Sequence, residues 1–308
     1  MRVVVVGAGV VGLATAIRLC EAGIEVEVWA RDITPNTTSD VAAAMWYPYR
    51  AWPAASVTAW SATTYRELFR LADVPGSGVR VRMGTQLLRR SAPDPWWVSA
   101  VPGFARAGRV PPTYADGFRF ATPVADMSTY LPFLMARLQT LGAAVVRRTV
   151  SDLADVLGHA DVVVNCAGLG AGQLARDDSL IPVRGQVVRV AQSGVEEWLL
   201  DEDDPAGPGY VVPRERDVVL GGTAQEGRVD LAPDSAEATA ILERCTALEP
   251  RLAGARVLEH VVGLRPVRSS VRVDRESDRS VVHNYGHGGA GVTLSWGCAD
   301  DAVRLVMA

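Results

Sequence analysis

The chain has 308 residues, 48% of them apolar, and a formal net charge of −4 at pH 7. This length can bury one large core or two moderate ones, and the mildly acidic balance provides no basic surface for nucleic acid or an anionic membrane. Lys is absent, which excludes a Schiff-base lysine, a P-loop lysine and a pyridoxal phosphate anchor. No apolar run reaches the ~18 residues of a membrane helix and no secretion signal is recognisable, so we expect a cytoplasmic protein.

A strand, a glycine-rich turn and a helix are predicted for the first part of the chain. Val3–Val6 is a β-branched run typical of a strand that is buried on both faces. Gly7, Gly9 and Gly12 follow in the spacing GxGxxG, and a helical pattern then runs to Gly23. In such a turn the first glycine permits the tight bend, the second admits backbone N–H groups to a pyrophosphate, and the third lets helix pack on strand. The segment therefore predicts a dinucleotide site.

The acid that would bind the ribose of this dinucleotide follows a second predicted strand. "IEVEVWA" (24–30) alternates between apolar and polar residues, and Asp32 lies about twenty residues past Gly12, where such an acid is expected. Arg31 stands beside Asp32. The pair suits FAD or, with the Arg on a 2′-phosphate, NADP.

The middle of the chain contains a further nucleotide-like segment. Val162–Val164 is a hydrophobic strand that is predicted to end in a glycine-rich turn at Gly168–Gly172. Such segments recur at the start, middle and end of the chain with unrelated sequence between them, which favours FAD over a nicotinamide cofactor. Two helices and two strands are also predicted, the helices in "TYLPFLMARLQTLG" (129–142) and "SAEATAILERCTALEP" (235–250) and the strands in "YVVP" (210–213) and "DVVLGGT" (217–223).

Two of the four histidines, His283 and His287, lie near the end of the chain in "HNYGHGGAGVTLSWGCA" (283–299). Their spacing of four would suit two metal ligands on one face of a helix. A glycine-rich stretch is a poor helix interior, however, and no Cys, Asp or Glu adjoins them to complete a metal shell. The other readings are the surroundings of a nucleophile and a place where backbone comes very close to a flat ligand. At this point all three readings remain open.

The four cysteines give no sign of a metal site or of a disulfide framework. Cys20, Cys166, Cys245 and Cys298 are far apart, which favours reduced, buried thiols. Cys245 with Cys298 is the one candidate disulfide.

Six segments resemble the D-amino acid oxidase family, in family order and over nearly the whole chain. The last segment and "GLRPVR" are the most specific, whereas the first is shared with many flavoproteins. The segments are "RVVVVGAGVVGLATA" (2–16), "TPNTTSDVAAAMWYPY" (34–49), "VVNCAGLGAG" (163–172), "RGQVVRV" (184–190), "GLRPVRSSVRVDRE" (263–276) and "HNYGHGGAGVTLSWGCA" (283–299).

The resemblance implies a two-domain FAD enzyme of the α/β (α+β) class. A discontinuous, Rossmann-like FAD-binding domain would comprise residues 1–45, 129–184 and 266–308. A substrate-binding domain, built on a large antiparallel or mixed β-sheet, would comprise residues 46–128 and 185–265. The implied reaction is oxidative deamination of D-amino acids, neutral ones above all, to 2-oxo acids, ammonia and hydrogen peroxide. Hydride would pass from Cα to flavin N5, with molecular oxygen as the second substrate.

The resemblance also implies which residues hold FAD, without a covalent link and without a metal. The segment Gly288–Thr293 would form a loop around the pyrimidine side of the flavin, with the Thr293 hydroxyl near a flavin carbonyl. His283 and His287 would then be positioning residues. The predicted FAD-binding residues are Gly7, Ala8, Gly9, Val10, Val11, Gly12, Arg31, Asp32, Thr37, Thr38, Ala43, Ala44, Met45, Val150, Cys166, Ala167, Gly168, Arg265, Gly288, Gly289, Ala290, Gly291, Val292 and Thr293.

The residues that would bind the substrate follow from the same resemblance. A carboxylate in a partly dry cleft calls for the planar fork of an Arg, and Arg265 matches the family's carboxylate-binding residue. Tyr210 would donate its hydroxyl to the same carboxylate, and the Gly289 carbonyl would accept the amine. No general base is needed, because the amine can bind neutral. Met45, Tyr49 and Val212 would line the side-chain pocket.

Three alternatives remain open. D-aspartate oxidase would need a further Arg, for which Arg214 and Arg228 are candidates, although both are expected at the surface. Glycine or sarcosine oxidase is a second alternative, and a non-catalytic FAD- or NADP-binding module is the third. "DEDDPAGPGY" (201–210) lacks the second Tyr that longer family members carry in a flexible lid, so substrate range and product release are not carried over. The resemblance leaves a homodimer open and predicts neither a nucleic-acid nor a membrane partner.

Overall fold

One mixed sheet of 14 strands runs through the computed structural model, which describes residues 1–308. The strands are β1 (Arg2–Val6), β2 (Glu25–Ala30), β3 (Val79–Leu88), β4 (Ala105–Arg106), β5 (Asp116–Ala125), β6 (Ala144–Arg147), β7 (Val162–Asn165), β8 (Ile181–Ala191), β9 (Trp198–Asp201), β10 (Gly209–Pro213), β11 (Asp217–Gly221), β12 (Gln225–Glu226), β13 (Val257–Arg275) and β14 (Val281–His287). The α-helices are α1 (Val10–Glu21), α2 (Ala54–Ala72), α3 (Met127–Thr140), α4 (Leu153–Leu157), α5 (Gly170–Ala175), α6 (Ser235–Leu248) and α7 (Gly291–Met307).

One end of the sheet is a parallel layer in the order β14-β7-β1-β2-β6. The side chains of Val3–Val6 are almost fully buried and alternate between two cores. The larger core contains residues of α1, α3 and α7, and the smaller one contains Leu153 and Val156 of α4. Covering on both faces explains why β1 is a continuous β-branched run.

The remainder of the sheet is mostly antiparallel, in the order β4-β5-β3-β9-β10-β11-β8-β13, with β3 and β9 parallel. Helix α6 packs on one face against residues of β8, β10 and β11. On the opposite face a small apolar cluster that contains Val124, Val187, Val212 and Val219 packs against Met45 and Tyr210. Strand β13 pairs with β8 along one edge and with β14 along the other, so it joins the antiparallel part to the parallel layer.

The structure confirms most of the predicted elements and corrects two. The predicted strands at the start and in the middle of the chain, and both predicted helices, are present. Gly168–Gly172 is only partly a turn, because helix α5 already begins at Gly170. The segment Gly288–Thr293 is not a loop, since Gly288–Ala290 form one 3₁₀ turn and α7 begins at Gly291. Of its three glycines, Gly289 and Gly291 adopt backbone angles open to any residue, and only Gly288 has a positive φ. The buried apolar residues that follow carry the helix into the core.

Two further findings concern the membrane and the cysteines. None of the helices has the length and apolar character needed to cross a membrane. All four cysteines are free thiols, and Cys166, Cys245 and Cys298 are buried. The candidate pair Cys245–Cys298 is therefore not bonded; the two residues lie in separate apolar clusters.

Candidate active site

The turn between β1 and α1 is built so tightly that it requires its glycines. Gly7 has φ of +113°, and a Cβ at this position would lie 2.4 Å from the carbonyl oxygen of Cys166. A Cβ at Gly12 would lie 2.0 Å from the Gly7 carbonyl oxygen. Any larger residue at either position would push apart the ends of β1, β7 and α1, which meet here.

The amino end of α1 offers several free backbone donors. The N–H of Val10 donates to the Ser39 hydroxyl (3.0 Å), whereas the N–H groups of Ala8, Gly9, Val11 and Gly12 donate to no acceptor within the chain. Free amides at a positive helix end bind an anion such as a pyrophosphate. The residues present therefore fit the phosphate part of FAD.

Ser39 was not predicted from the sequence. It lies in a short helical turn in which the Asp40 carboxylate accepts hydrogen bonds from the Thr37 N–H (2.8 Å) and hydroxyl (2.6 Å). The Thr37 hydroxyl, predicted to contact the cofactor, is thus bonded within the turn. The sequence signal was the run "NTTSD" (36–40), whose serine reaches a helix end 29 positions earlier in the chain.

The other predicted FAD-binding residues lie in different surroundings. Arg31 and Asp32 form an exposed ion pair (2.7 Å) just after the carboxyl end of β2, and this pair alone does not distinguish FAD from NADP. Cys166–Gly168 follow the carboxyl end of β7, beside the glycine turn. Val150 instead packs against the smaller core beneath the parallel layer, so its side chain faces the protein.

Arg265 projects from β13 across the neighbouring strand β8. A Cβ at Gly185 of β8 would lie 2.1 Å from Arg265 Nη1 and 2.4 Å from Cζ, so the guanidinium rests on that glycine. Nη1 donates to the carbonyl of Thr223 (2.9 Å). The Thr223 hydroxyl in turn accepts from the N–H of Gln186 (2.9 Å). The backbone of β8 and the segment after β11 therefore hold the Arg265 side chain in place.

Tyr210 projects from β10 in the opposite direction, across β11. A Cβ at Gly221 would lie 1.9 Å from Tyr210 Cζ, and a Cβ at Gly222 would lie 2.8 Å from the hydroxyl. Burial raises the pKa of Tyr210, and the positive charge of Arg265 opposes that rise. The phenol therefore stays protonated at neutral pH and can donate a hydrogen bond.

Gly289 and Tyr49 complete this group. A Cβ at Gly289 would lie 2.7 Å from Tyr49 Cδ1 and 3.6 Å from Arg265 Cδ. The structure thus brings together Arg265, Tyr49 and Gly289, which are far apart in the sequence, and places Tyr210 beside them. Met45 also borders this region, whereas Val212 is 1% exposed and belongs to the apolar layer behind Tyr210.

The Thr293 hydroxyl is already engaged within the protein. It lies in the first turn of α7 and exchanges hydrogen bonds with the backbone N–H and carbonyl of Tyr47, both at 3.0 Å. The Thr293 hydroxyl, which was predicted to face a flavin carbonyl, is therefore buried, and its proton is already donated to the Tyr47 carbonyl. What the contact does achieve is to fix Tyr47, and with it Tyr49, against the start of α7.

His283 and His287 lie on strand β14 and not on a helix. His283 Nε2 bonds the Glu276 carboxylate (2.8 Å), while His287 Nε2 is buried with no partner. Burial lowers the pKa of His287 to about 4. No group of three His, Cys, Asp or Glu side chains is arranged to hold a metal ion.

The expectation that Arg214 lies at the surface is wrong. Its side chain is 4% exposed and forms a paired contact with the Asp217 carboxylate (both 2.7 Å). Arg228 is partly exposed and bonds Asp230 and Glu237. Because each of these guanidiniums already faces carboxylates of the chain, neither is free for an acidic substrate.

The parallel layer, the glycine turn and the free α1 amides define a dinucleotide-binding protein of the Rossmann-like class. The model of the DAO family, described as FAD dependent oxidoreductase, matches residues 2–305. The D-amino-acid oxidase of Rubrobacter xylanophilus is 55% identical over 311 residues, which cover 99% of this chain and 95% of that protein. The D-aspartate oxidase of Homo sapiens is 39% identical over 324 residues, covering 99% and 94%.

A solved structure agrees with the fold. Glycine oxidase from Geobacillus kaustophilus superposes with a TM-score of 0.83 at 19% identity, over 99% of this chain and 95% of that one. The chain belongs to the DAO family of FAD-dependent oxidoreductases, and FAD is its cofactor.

Proposed function

We propose that the protein oxidises D-amino acids to 2-oxo acids, ammonia and hydrogen peroxide, with molecular oxygen as the second substrate. The observation that carries this proposal is the convergence of Arg265, Tyr49 and Gly289, with Tyr210 beside them. The 55% identity to a protein named D-amino-acid oxidase supports it. FAD, when bound, supplies the acceptor for the hydride that leaves the substrate Cα.

The substrate carboxylate binds Arg265 in this proposal. One N–H of its guanidinium is held by the Thr223 carbonyl, and the remaining donors form the planar fork that a carboxylate matches with both oxygens. The protonated Tyr210 hydroxyl donates to the same carboxylate. Two donors of different kinds then fix the orientation of the Cα–H bond, which is the main task of the protein in this reaction.

The substrate amine binds the carbonyl of Gly289. This residue is a glycine because a Cβ would strike the Tyr49 ring. The amine arrives neutral, so no ionisable side chain is required as a base. Met45 and Tyr49 border the space for the substrate side chain, with Val212 behind them.

Anaerobic titration with single amino acids tests this function. We expect purified protein to be yellow and to bleach with D-leucine or D-alanine, and not with the L-enantiomers. We also expect trichloroacetic acid to release all flavin, because no residue is proposed to link it covalently. Equal turnover of L- and D-leucine, or flavin retained on the protein pellet, would contradict the respective claim.

No contact in the structure favours D-aspartate as the main substrate, since Arg214 and Arg228 are both bonded to carboxylates. A non-catalytic FAD-binding module would not need the two donors, Arg265 and Tyr210, that form a clamp on the substrate carboxylate. The division into an FAD-binding domain (1–45, 129–184 and 266–308) and a substrate-binding domain (46–128 and 185–265), the cytoplasmic location and a homodimer stay predictions.

A further inference from the structure

A fully buried arginine lies behind the strand that supports Arg265. Arg184 precedes Gly185 on β8, and its side chain is 0% exposed. Successive residues of a strand point to opposite faces of the sheet. The Arg265 guanidinium rests on Gly185 on one face, so Arg184 points to the other face, where it reaches Glu237 of α6. Arg184 is therefore outside the space in which a substrate would bind.

The Arg184 guanidinium is fully engaged within the chain. A guanidinium has five N–H donors, and Arg184 makes five hydrogen bonds of between 2.7 and 3.2 Å. The acceptors are the side chains of Gln186, Gln225 and Glu237 and the backbone carbonyls of Asp230 and Ala232. All of them except Gln186 lie in the connection from β11 to α6 or in the first turn of α6.

This connection, segment 223–234, has no apolar core of its own. It contains only the two-residue strand β12, and none of its residues is buried. Its largest apolar side chains, Val229 and Leu231, are 61% and 60% exposed. Hydrophobic burial therefore does not hold segment 223–234 in place. Its position depends on hydrogen bonds to β8 and to Arg184 in particular.

The two ends of segment 223–234 are tied to β8 beside the carboxylate clamp. At one end the Thr223 carbonyl accepts from Arg265, while the Thr223 hydroxyl accepts from the N–H of Gln186. At the other end the Gln186 side chain bonds the N–H (2.8 Å) and the carbonyl (2.7 Å) of Asp234. Arg184 donates to the same Gln186 oxygen (3.2 Å). The bonds of Arg184 thus bear on the position of the carbonyl that holds Arg265.

We propose that Arg184 is a positioning residue for the carboxylate clamp. It holds segment 223–234 against β8, so that the Thr223 carbonyl keeps one N–H of Arg265 engaged and the remaining donors stay directed at the substrate. The inference rests on the proposed function and adds to it a residue that acts on the substrate only through Arg265. If the Arg184 bonds are lost, the Thr223 carbonyl can move and the Arg265 fork loses its fixed direction.

Arg184→Lys tests this role. Lys keeps the positive charge opposite Glu237, but it has three donors and cannot hold five acceptors. In the flavin-loaded variant we expect kcat/KM for D-leucine to fall about tenfold, as a small misplacement of a binding group requires. The dissociation constant of 4-methyl-2-oxopentanoate, the product that keeps the carboxylate, should rise by a similar factor, and FAD affinity should not change.

A matched control and a double variant separate positioning from a general loss of stability. Arg214→Lys alters another buried guanidinium, which bonds Asp217 and no part of segment 223–234, and it should behave as the wild type. In the Arg265→Ala background, Arg184→Lys should cause no further loss, because the group that it positions is absent. Independent effects of the two substitutions would multiply instead.

A second pair of variants keeps the test decisive if Arg184→Lys does not fold. Thr223→Val deletes the hydroxyl that accepts from Gln186, whereas Thr223→Ser keeps it. We expect Thr223→Val to weaken binding of the 2-oxo acid and Thr223→Ser to retain wild-type affinity. Bound flavin, measured by absorbance, reports the folded fraction of each variant.

The outcomes distinguish this inference from the proposed function. Wild-type kinetics in flavin-loaded Arg184→Lys, or a loss of equal size with and without Arg265, would overturn the positioning role while D-leucine oxidation still supports the proposed function. Equal affinity of Thr223→Val and Thr223→Ser for the 2-oxo acid would also overturn it. Failure of the flavin-loaded wild type to oxidise any D-amino acid would instead refute the proposed function itself.

Discussion

The guanidinium of Arg265 rests on the backbone of Gly185, at a distance that leaves no room for a Cβ. Tyr210 rests in the same way on Gly221. Strands β8 and β11 separate the two strands that carry Arg265 and Tyr210. A glycine in each intervening strand lets these long side chains lie across the sheet and converge. The pair of glycines is therefore as much a part of the clamp as the side chains that bind the carboxylate.

Gly185→Ala should disable the clamp without touching a catalytic side chain. The new Cβ would displace the Arg265 guanidinium by an ångström or more, and misplacement on that scale costs roughly 10² in kcat/KM. Flavin content should not change. Gly108→Ala is the matched control, since Gly108 has open space around its Cβ position and no positive φ. Wild-type kinetics in Gly185→Ala would show that Arg265 does not bind the substrate.

Removal of Arg265 itself should be at least as costly. A desolvated hydrogen bond to a charged group is worth on the order of 2–5 kcal/mol, so Arg265→Ala should lose about 10² or more in kcat/KM. Arg265→Lys should recover little, because an ammonium cannot form the planar fork. Steady-state kinetics with a D-amino acid and with its decarboxylated amine check this. Equal oxidation of the amine by the wild type would show that carboxylate binding by Arg265 does not contribute to the reaction.

Tyr210→Phe should have a smaller effect than either Arg265 variant. It deletes one neutral donor, worth about 1 kcal/mol or roughly fivefold in kcat/KM, and leaves the charge pair intact. The ring still packs on Gly221, so the sheet should not change. A loss as large as that of Arg265→Ala would show that the hydroxyl does more than bind the carboxylate.

Gly12→Ala should separate cofactor binding from the substrate clamp. Its Cβ would strike the Gly7 carbonyl, which lies 2.0 Å from that position, so the turn beside the free α1 amides must open. We expect purified protein with a much lower flavin-to-protein absorbance ratio, partly restored by added FAD. Gly158→Ala, in a position with ordinary contact distances, serves as the control. Full flavin occupancy in Gly12→Ala would refute the placement of the phosphates.

The buried His287 makes stability depend on pH in a defined window. Its folded-state pKa of about 4 lies below the ordinary 6.5, so between these values the unfolded chain binds a proton that the folded chain does not. Stability should therefore fall as the pH falls through this window, by about 2 kcal/mol between pH 6.5 and 5. Urea unfolding of the wild type and of His287→Phe, with equal excess FAD, isolates the effect. Parallel pH profiles of the two proteins would mean that His287 is protonated when folded.

Local pattern was sufficient to predict the elements around the dinucleotide turn. The β-branched run before Gly7, the helix to Gly23 and the strand after it are each contained in about ten consecutive residues, where apolar period and glycine position are decisive. The convergence of Arg265, Tyr210 and Gly289 was anticipated only through the family resemblance, because these residues meet by strand pairing over long chain separations.

The features that were missed or wrong also depend on long-range pairing. Nothing in the sequence near Gly185 or Gly221 indicates which side chain will lie across it. Arg214 was expected at the surface, yet Asp217 across the β10–β11 turn neutralises it and allows its burial. The Gly288–Thr293 segment was expected to be a loop from the family resemblance, whereas buried residues further along α7 extend the helix back to Gly291.

Strands β13 and β14 form one antiparallel ladder whose last pair is Val267 with His287. Arg265 lies on β13 two residues before that pair, and Gly289 lies two residues after it, in the 3₁₀ turn that follows β14. The β13–β14 hairpin thus fixes the distance between the proposed anchor for the carboxylate and the proposed acceptor for the amine. Any movement that admits substrate or releases product must occur in other segments, because opening this gap would break the sheet at the junction of its two halves.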